Sequence, residues 1–350
     1  MLMYEVFGQP VIFWILSVLT FSLTLLNGFL DGSNTVATLI ASRSMRPRTA
    51  LRFAAAIEFV SPLTLFVTGF GVSRAIQNMV YEENYLGATG EDQYRALCFI
   101  GAGVLAAVLW DLTAWLSHVP SSSTHALLGG VVGSSVVAYG LGSVAWFQFL
   151  YRVILMIFLA PVVGFIAGFI VMKINKTIFM KASRGANTVF KRIQILNVLL
   201  LAYSHSTHDS QKTLGIIMLL MSICGGTVAT QPPVLAVLVA GTCLATGILF
   251  GGYNIIRTVG MKIFKVKPIH AYSSQLASAT SLITANALGV PVSSSHIVST
   301  SVMGVGAAER LSAVRWINVK KIVISWFITV PIVGSLGALF CFILTKIVGV

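Results

Sequence analysis

Residues 120–125 read PSSSTH and residues 291–296 read PVSSSH, so a proline, a run of hydroxyl residues and a histidine occur twice in this chain. About 80 to 90 residues before each of these runs, an aspartate lies inside an otherwise apolar stretch: Asp31 in the first half and Asp209 in the second. A proline followed by serine and threonine predicts a helix start in both places. Two matched features in the same order favour a duplicated unit over chance similarity between serine-rich turns.

The rest of the chain is too apolar for a water-soluble protein. Of its 350 residues, 56% are hydrophobic and only 9% are charged, whereas soluble domains carry about 25% charged residues. A secreted scaffold, a disordered regulator and a soluble enzyme are therefore excluded. The predicted fold class is an all-α polytopic membrane protein. Its apolar segments are expected at residues 11–42, 53–73, 96–118, 126–140, 146–172, 193–224, 234–250, 269–289, 292–308 and 322–346.

The positive charges lie at one side of this arrangement of segments. Eighteen of the 23 Lys and Arg residues fall in four stretches, at residues 43–52, 173–192, 257–267 and 309–321. By the positive-inside rule these stretches face the cytoplasm. This places the chain in the cell membrane as a multi-pass protein with both termini outside. The excess of positive charge then reflects orientation, and we expect no nucleic-acid partner.

The two halves are expected to be inverted repeats. Residues 1–172 form the first repeat, residues 173–192 a cytoplasmic linker and residues 193–350 the second repeat. In this topology the first proline turn faces inward and the second faces outward, and each half contains a span that is interrupted near its aspartate. Paired broken helices in inverted repeats are typical of secondary transporters, which bind their substrate near the midplane. The short segments 126–140 and 292–308 are either re-entrant half-helices or full spans.

The two hydroxyl-rich turns have a chemistry that suits an oxyanion. A helix start presents free N–H donors and the positive end of the helix dipole, so two converging starts would surround a small tetrahedral anion. Capping or helix packing in lipid is the alternative use for a single serine cluster. His125 and His296 are expected to orient the hydroxyl turns rather than to titrate.

Four acids lie inside apolar stretches, where a charge is costly and usually lines a cavity or is paired. Asp31, Glu58, Asp111 and Asp209 are therefore candidate ligands for a hard cation such as Na⁺, or proton carriers, with structural hydrogen bonding as the alternative. Lys212 lies three residues after Asp209 on the same helical face, which predicts an ion pair that serves either the structure or the site.

Three stretches carry a resemblance to a known family. Residues 27–34, NGFLDGSN, and residues 204–215, SHSTHDSQKTLG, are similar to the duplicated motifs of the inorganic phosphate transporter (PiT) family, and residues 120–130, PSSSTHALLGG, resemble its fourth-segment region. The likeness covers nearly the whole chain. The departures from the family pattern are Leu30 and His208 within the duplicated motifs, Asp111 where Asn is common, and Gln275 where sodium-coupled members often have Glu.

The resemblance implies uptake of inorganic phosphate driven by a Na⁺ or H⁺ gradient. Because Glu58 matches an acid of sodium-coupled members, Na⁺ is favoured. The expected partners are phosphate, the cation and the lipid bilayer, with a second copy of the chain left open, and no resident cofactor or enzymatic activity is expected. The phosphate ligands that the resemblance assigns are Asp31, Asn34, Ser121, Ser122, Ser123, Thr124, Asp209, Gln211, Lys212, Ser293, Ser294 and Ser295.

Three other functions fit the sequence less well. A sulfate transporter is the nearest, but sulfate at neutral pH has no proton to donate to Asp31 or Asp209, whereas phosphate has. An intramembrane hydrolase would use a serine with His125 or His296, but the sequence lacks the Gly-x-Ser-x-Gly elbow. A passive channel is disfavoured because a midplane site between inverted repeats is typical of alternating access.

Overall fold

A computed structural model describes residues 10–117, 121–181, 185–250, 256 and 263–350, and these residues form helices joined by short connections. Pro120, residues 1–9 and part of the 257–267 basic stretch lie outside them. The helices are α1 (Val11–Asn27), α2 (Ser33–Ala41), α3 (Pro47–Val60), α4 (Leu65–Thr68), α5 (Gly71–Gln77), α6 (Glu91–Leu116), α7 (Ser123–Tyr139), α8 (Trp146–Phe149), α9 (Leu155–Ile178), α10 (Ala186–Gly225), α11 (Val234–Phe250), α12 (Pro268–Ala287), α13 (Ser294–Glu309) and α14 (Trp316–Val348).

The chain is a multi-pass membrane protein. Among the described residues, five helical segments are long and apolar enough to cross a membrane: Val11–Ala41, Pro47–Thr68, Glu91–Leu116, Trp146–Ile178 and Trp316–Val348. The last two have only 28% and 22% of their most apolar window buried, against 61% for Glu91–Leu116. Their apolar side chains therefore form the outer surface that faces lipid, while polar side chains are collected in the interior.

The predicted breaks in the two aspartate-bearing spans differ from the structure. In the first span, α1 continues into α2 through a π-helical turn, Gly28–Gly32, instead of unwinding. The turn packs closely against α11, since a Cβ on Gly28 would be 2.5 Å from the Leu244 carbonyl oxygen. π-Helical turns inside α-helices are frequent at functional sites, and this one contains Asp31.

The break predicted near residues 204–212 is wrong, because α10 runs without interruption over 40 residues. Several side chains of its polar run are hydrogen-bonded inside the helix or to neighbouring helices. Ser204 donates to the Leu201 carbonyl at 3.0 Å and Thr207 to the Tyr203 carbonyl at 2.9 Å. Buried polar groups with such partners do not force a helix to unwind.

The two serine-capped helices pack in a crossed arrangement. Helix α7 of the first half packs against α14 of the second, and α13 of the second half packs against α9 of the first. Glycines allow the close approach, since a Cβ on Gly133 would lie 2.0 Å from the Gly334 carbonyl oxygen, and a Cβ on Gly304 2.0 Å from that of Phe165. Small residues at such crossings are typical of helix packing in membranes.

The connections that follow α7 and α13 also match. Each contains a 3₁₀ turn, Leu141–Ser143 in one and Leu311–Ala313 in the other. In each, a tryptophan indole N–H donates to the first carbonyl of that turn: Trp146 to Leu141 at 2.7 Å and Trp316 to Leu311 at 3.0 Å.

Candidate functional site

The starts of α7 and α13 meet in the interior of the bundle, and both are capped as the sequence predicts. The backbone N–H of His125 donates to the Ser122 hydroxyl at 3.3 Å, and that of His296 donates to the Ser293 hydroxyl at 3.4 Å. Both helices begin one residue after the capping serine. A side-chain cap satisfies one of the free N–H groups of a first helical turn and leaves the others available.

A reciprocal pair of hydrogen bonds links the two helix starts. Thr124 donates to the Val292 carbonyl at 3.0 Å, and Ser295 donates to the Ser121 carbonyl at 2.8 Å. The donor of each bond occupies the same place in its PSSSTH or PVSSSH run, and so does the acceptor. These hydroxyls therefore fasten one turn to the other.

In each run, the serine just before the cross-linking hydroxyl residue contacts a carboxylate. Ser123 donates to Asp31 Oδ2 at 2.7 Å, and Ser294 donates to Asp209 Oδ1 at 3.3 Å. Both aspartates and both serines are buried. The structure thus brings together the two aspartates of the duplicated motifs and the two serine turns, each aspartate on the turn of its own half.

A chain of ionisable side chains extends from Asp209. Its Oδ1 lies 2.8 Å from the Lys212 ammonium, which confirms the predicted ion pair, and its Oδ2 lies 3.5 Å from His205 Nε2. The other ring nitrogen of His205 lies 3.0 Å from Glu58 Oε1. All four side chains are at most 1% exposed. Sequence reasoning missed His205, although its i,i+4 spacing to Asp209 on one helix face was a signal for the contact.

Three further polar side chains are buried at 2% exposure or less: Asn34, Asp111 and Gln275. Within the described part of the chain, none of their side-chain oxygens or amide nitrogens has a hydrogen-bond partner. Burying a polar group without a hydrogen bond costs about 1–3 kcal/mol. Groups of this kind are retained where a ligand, an ion or water meets them.

Comparison with known proteins identifies the family. Residues 27–337 match the phosphate transporter family. The chain belongs to this family. A probable low-affinity inorganic phosphate transporter of Bacillus subtilis is 35% identical over 324 residues, covering 92% of this chain and 94% of the relative. A Rhizobium meliloti protein of the same description is 32% identical, covering 90% of this chain and 91% of the relative.

A solved structure agrees with this assignment. The sodium-dependent phosphate transporter superposes with a TM-score of 0.84 at 25% identity, covering 97% of this chain and 100% of that one. The expected family is thereby confirmed. As members of the phosphate transporter family are transporters, the chain is a transporter and not an enzyme.

Two residues that the family resemblance assigns to phosphate have other contacts. The Gln211 amide accepts from the Val72 N–H at 2.9 Å and donates to the Thr207 carbonyl at 2.9 Å. It thereby holds the start of α5 against α10. The Ser121 hydroxyl accepts from the Trp110 indole at 2.7 Å. The structure does not place either side chain against the two aspartates.

The histidines of the family's serine turns lie ring to ring. His125 and His296 have centroids 4.9 Å apart, and His296 packs on Trp326 at 3.9 Å. Their ring nitrogens have no hydrogen-bond partner among the described residues. The backbone N–H groups of both histidines donate to the capping serines, while their rings pack against each other and Trp326.

His208, one of the departures from the family pattern, lies elsewhere on α10. Its Nδ1 lies 2.5 Å from Asn286 Oδ1, and its Nε2 lies 2.9 Å from the Val292 carbonyl oxygen and 3.2 Å from the Val292 nitrogen. Asn286 also donates to the Thr207 hydroxyl at 3.0 Å. His208 thus joins α10 to the end of α12 and to the turn before α13.

Proposed function

We propose that the chain is a secondary transporter that imports inorganic phosphate together with a cation, Na⁺ in preference to H⁺. The substrate site lies where the starts of α7 and α13 meet the carboxylates of Asp31 and Asp209. The observation that carries this proposal is the pair of serine–aspartate hydrogen bonds, one on each turn, with Lys212 beside the second. It combines N–H donors, hydroxyls, carboxylates and one cation in a single buried place.

This set of groups favours phosphate over sulfate. Free N–H groups at two helix starts and the Lys212 ammonium attract an oxyanion. A carboxylate beside the same anion repels it unless the anion carries a proton that it can donate. Phosphate near neutral pH carries such a proton and sulfate does not, so Asp31 and Asp209 select the protonated oxyanion.

The resemblance assigned all the hydroxyls of both turns to phosphate. The contacts favour a separation between residues that bind phosphate and residues that hold the two helix starts in place. Asp31, Asn34, Asp209, Lys212, Ser123 and Ser294 are the proposed contacts. Ser122 and Ser293 cap the two helices, while Thr124 and Ser295 fasten them together. These four, with Ser121, position the backbone N–H groups rather than supply the ligands themselves, and Gln211 holds α5 against α10.

The acids of the first half and α10 suit a cation. Asp31, Glu58, Asp111 and Asp209 offer carboxylate oxygens, the ligand type that hard cations prefer. A Cβ on Gly32 would lie 3.2 Å from Glu58 Oε2, so Glu58 reaches the π-helical turn that contains Asp31. Neither carboxylate oxygen of Asp111 has a hydrogen-bond partner among the described residues. The structurally similar protein is a sodium-dependent phosphate transporter, which supports Na⁺.

Alternating access is supported by the matched contacts of the two halves. The cross-bonds between helix starts, the serine–aspartate pairs and the indole–carbonyl bonds after α7 and α13 each occur twice. This repetition favours two repeats, residues 1–172 and 193–350, related by a pseudo-two-fold axis. Inverted repeats rocking about a central site are the usual basis of alternating access.

A cavity leads toward the site from one end of the bundle. It is lined by Thr68, Gly69, Tyr203, Thr207, Gln211 and Asn286, with Leu65, Ile283 and Ala287. The bonds from His208 to Asn286 and Val292 lie between this cavity and Asp209. With the basic stretches in the cytoplasm and both termini outside, the cavity opens to the exterior, and His208 closes it.

The experiment that tests this function is uptake of labelled phosphate into proteoliposomes under separately imposed Na⁺ and H⁺ gradients. We expect accumulation with an inward Na⁺ gradient and little with an H⁺ gradient alone. Equilibration of phosphate to the external concentration, with no accumulation under either gradient, would indicate a channel. Equal inhibition by sulfate and by unlabelled phosphate at matched concentrations would refute phosphate selectivity.

A further inference from the structure

A basic groove lies at the end of the bundle opposite the cavity closed by His208. It consists of two adjoining cavities that share Lys265, Lys267 and Arg315. The first is also lined by Arg43, just after α2, and the second by Arg310, just after α13. All five cationic side chains are exposed.

The positive charge of the groove is not neutralised by the part of the chain that the structure describes. Glu309 is the single acid among its described lining residues, and it is already engaged, with its carboxylate 2.9 Å from the Lys176 ammonium and 3.9 Å from His270 Nε2. The hydrogen bond from Lys176 lowers the pKa of Glu309. None of the five cations lies within 4.0 Å of a described carboxylate oxygen. A concave surface lined by one sign of charge concentrates counter-ions.

The walls of the groove are tied to the bundle. Ser42, after α2, donates to Gln194 Oε1 at 3.1 Å, and Gln194 donates from its amide to the Pro268 carbonyl at 2.8 Å, so α10 bridges the two sides. The Arg315 N–H donates to the Ile263 carbonyl at 3.0 Å. Arg43 has a φ of 55°, the left-handed conformation that glycine usually adopts. Such strain persists where the surroundings impose it. Freely solvated loops would need none of these restraints.

We propose that this groove is a second anion site, separate from the buried aspartates, and that it binds a phosphate group. Arginine guanidinium groups match phosphate oxygens in a two-pronged geometry, and lysines add point charges. The phosphate group is presented either as free inorganic phosphate or on the headgroup of an anionic phospholipid. The proposal does not depend on the transport mechanism, since it concerns binding at a surface that the transported ion need not reach.

Binding of inorganic phosphate is tested by ³¹P NMR line broadening with purified protein in sodium-free, low-salt buffer. The test variant is K265Q/K267Q/R315Q, and the matched control is R46Q/R48Q/R52Q, which removes three exposed charges just before and within the first turns of α3 that do not line the groove. One cation near such a surface is worth about 1 kcal/mol, or about fivefold in affinity. We therefore expect at least a tenfold loss in the test variant and less than a threefold loss in the control.

The lipid source is tested with the same variants in nanodiscs with and without phosphatidylglycerol. If a headgroup occupies the groove, phosphatidylglycerol raises the melting temperature of the wild type and the control but not of the test variant, and it removes the phosphate-dependent broadening. Single variants K265Q and K267Q replace the triple variant if that protein does not fold. The proposal is overturned if neither phosphate nor phosphatidylglycerol distinguishes the groove variants from the control. If the groove variants lose binding at the groove but still take up phosphate normally, the groove site is supported and the proposed transport function is unaffected.

Discussion

Replacing Lys212 by glutamine tests whether the buried charges of the site depend on one another. The Lys212 ammonium lies 2.8 Å from Asp209 Oδ1, and the two side chains are 1% and 0% exposed. At this separation, the attraction is worth about 6 kcal/mol at an effective dielectric constant of about 20. His205, 3.5 Å from the other Asp209 oxygen, replaces part of it when protonated. We therefore expect K212Q to lower the free energy of unfolding by about 3–5 kcal/mol, the usual cost of leaving a buried charge unpaired.

The double variant D209N/K212Q separates stability from transport. It removes the charge that K212Q leaves unpaired, so we expect it to regain more than half of the lost stability. It still lacks both charged groups of the site and should accumulate no phosphate. Stability is measured by urea unfolding of detergent-solubilised protein and transport by uptake into proteoliposomes. A K212Q protein of wild-type stability, or a double variant no more stable than K212Q, would refute the reasoning.

Three further outcomes test the site and the packing. Asp31→Asn should abolish cation-coupled phosphate uptake while leaving the melting temperature within a few degrees of wild type; a wild-type uptake rate would exclude Asp31 from the site. Gly133→Val should greatly reduce the yield of folded protein in size-exclusion chromatography, because its Cβ would lie 2.0 Å from the Gly334 carbonyl oxygen, whereas Gly142→Val, with open space around it, should fold normally. Gln211→Leu should lower the free energy of unfolding by about 1–3 kcal/mol, because the Val72 N–H at the start of α5 loses its acceptor. The affinity of this variant for phosphate should stay within threefold of wild type. A larger loss of affinity would make Gln211 a ligand.

The position of the helices was accessible from the sequence because each apolar segment had clear ends. The hydroxyl runs predicted helix starts, and α7 and α13 begin at Ser123 and Ser294. The sequence does not predict whether the helix is broken or continuous at the polar run in α10. Polar residues inside an apolar span indicate either a break or an unbroken helix whose side chains have partners on other helices. The partners come from α3, α5 and α12, and no local pattern specifies that packing.

The contacts within the site are likewise only partly predictable from the sequence. The Asp209–Lys212 pair was predictable because the i,i+3 spacing places both side chains on one helix face. The contact of His205 with Glu58 was not, since it depends on α3 lying beside α10. Gln211 lies in the middle of the duplicated motif, yet its amide is used by the start of α5. Motif membership therefore indicated the neighbourhood of the site but not the direction in which each side chain points.

The reciprocal bonds between the two helix starts constrain how such a transporter can move. Thr124 and Ser295 each donate to the backbone of the opposite turn, so the starts of α7 and α13 are held by two buried bonds in a medium without water to replace them. A rocking motion that separated them would leave four polar groups unsatisfied. A motion that keeps them together can break other contacts instead, such as that between His208 and Asn286 beside the cavity. We therefore expect cysteines at positions 124 and 295, cross-linked by a short reagent, to leave phosphate uptake largely intact, and a cross-link between positions 208 and 286 to abolish it. Loss of uptake by the first cross-link but not by the second would show that the two helix starts separate during transport.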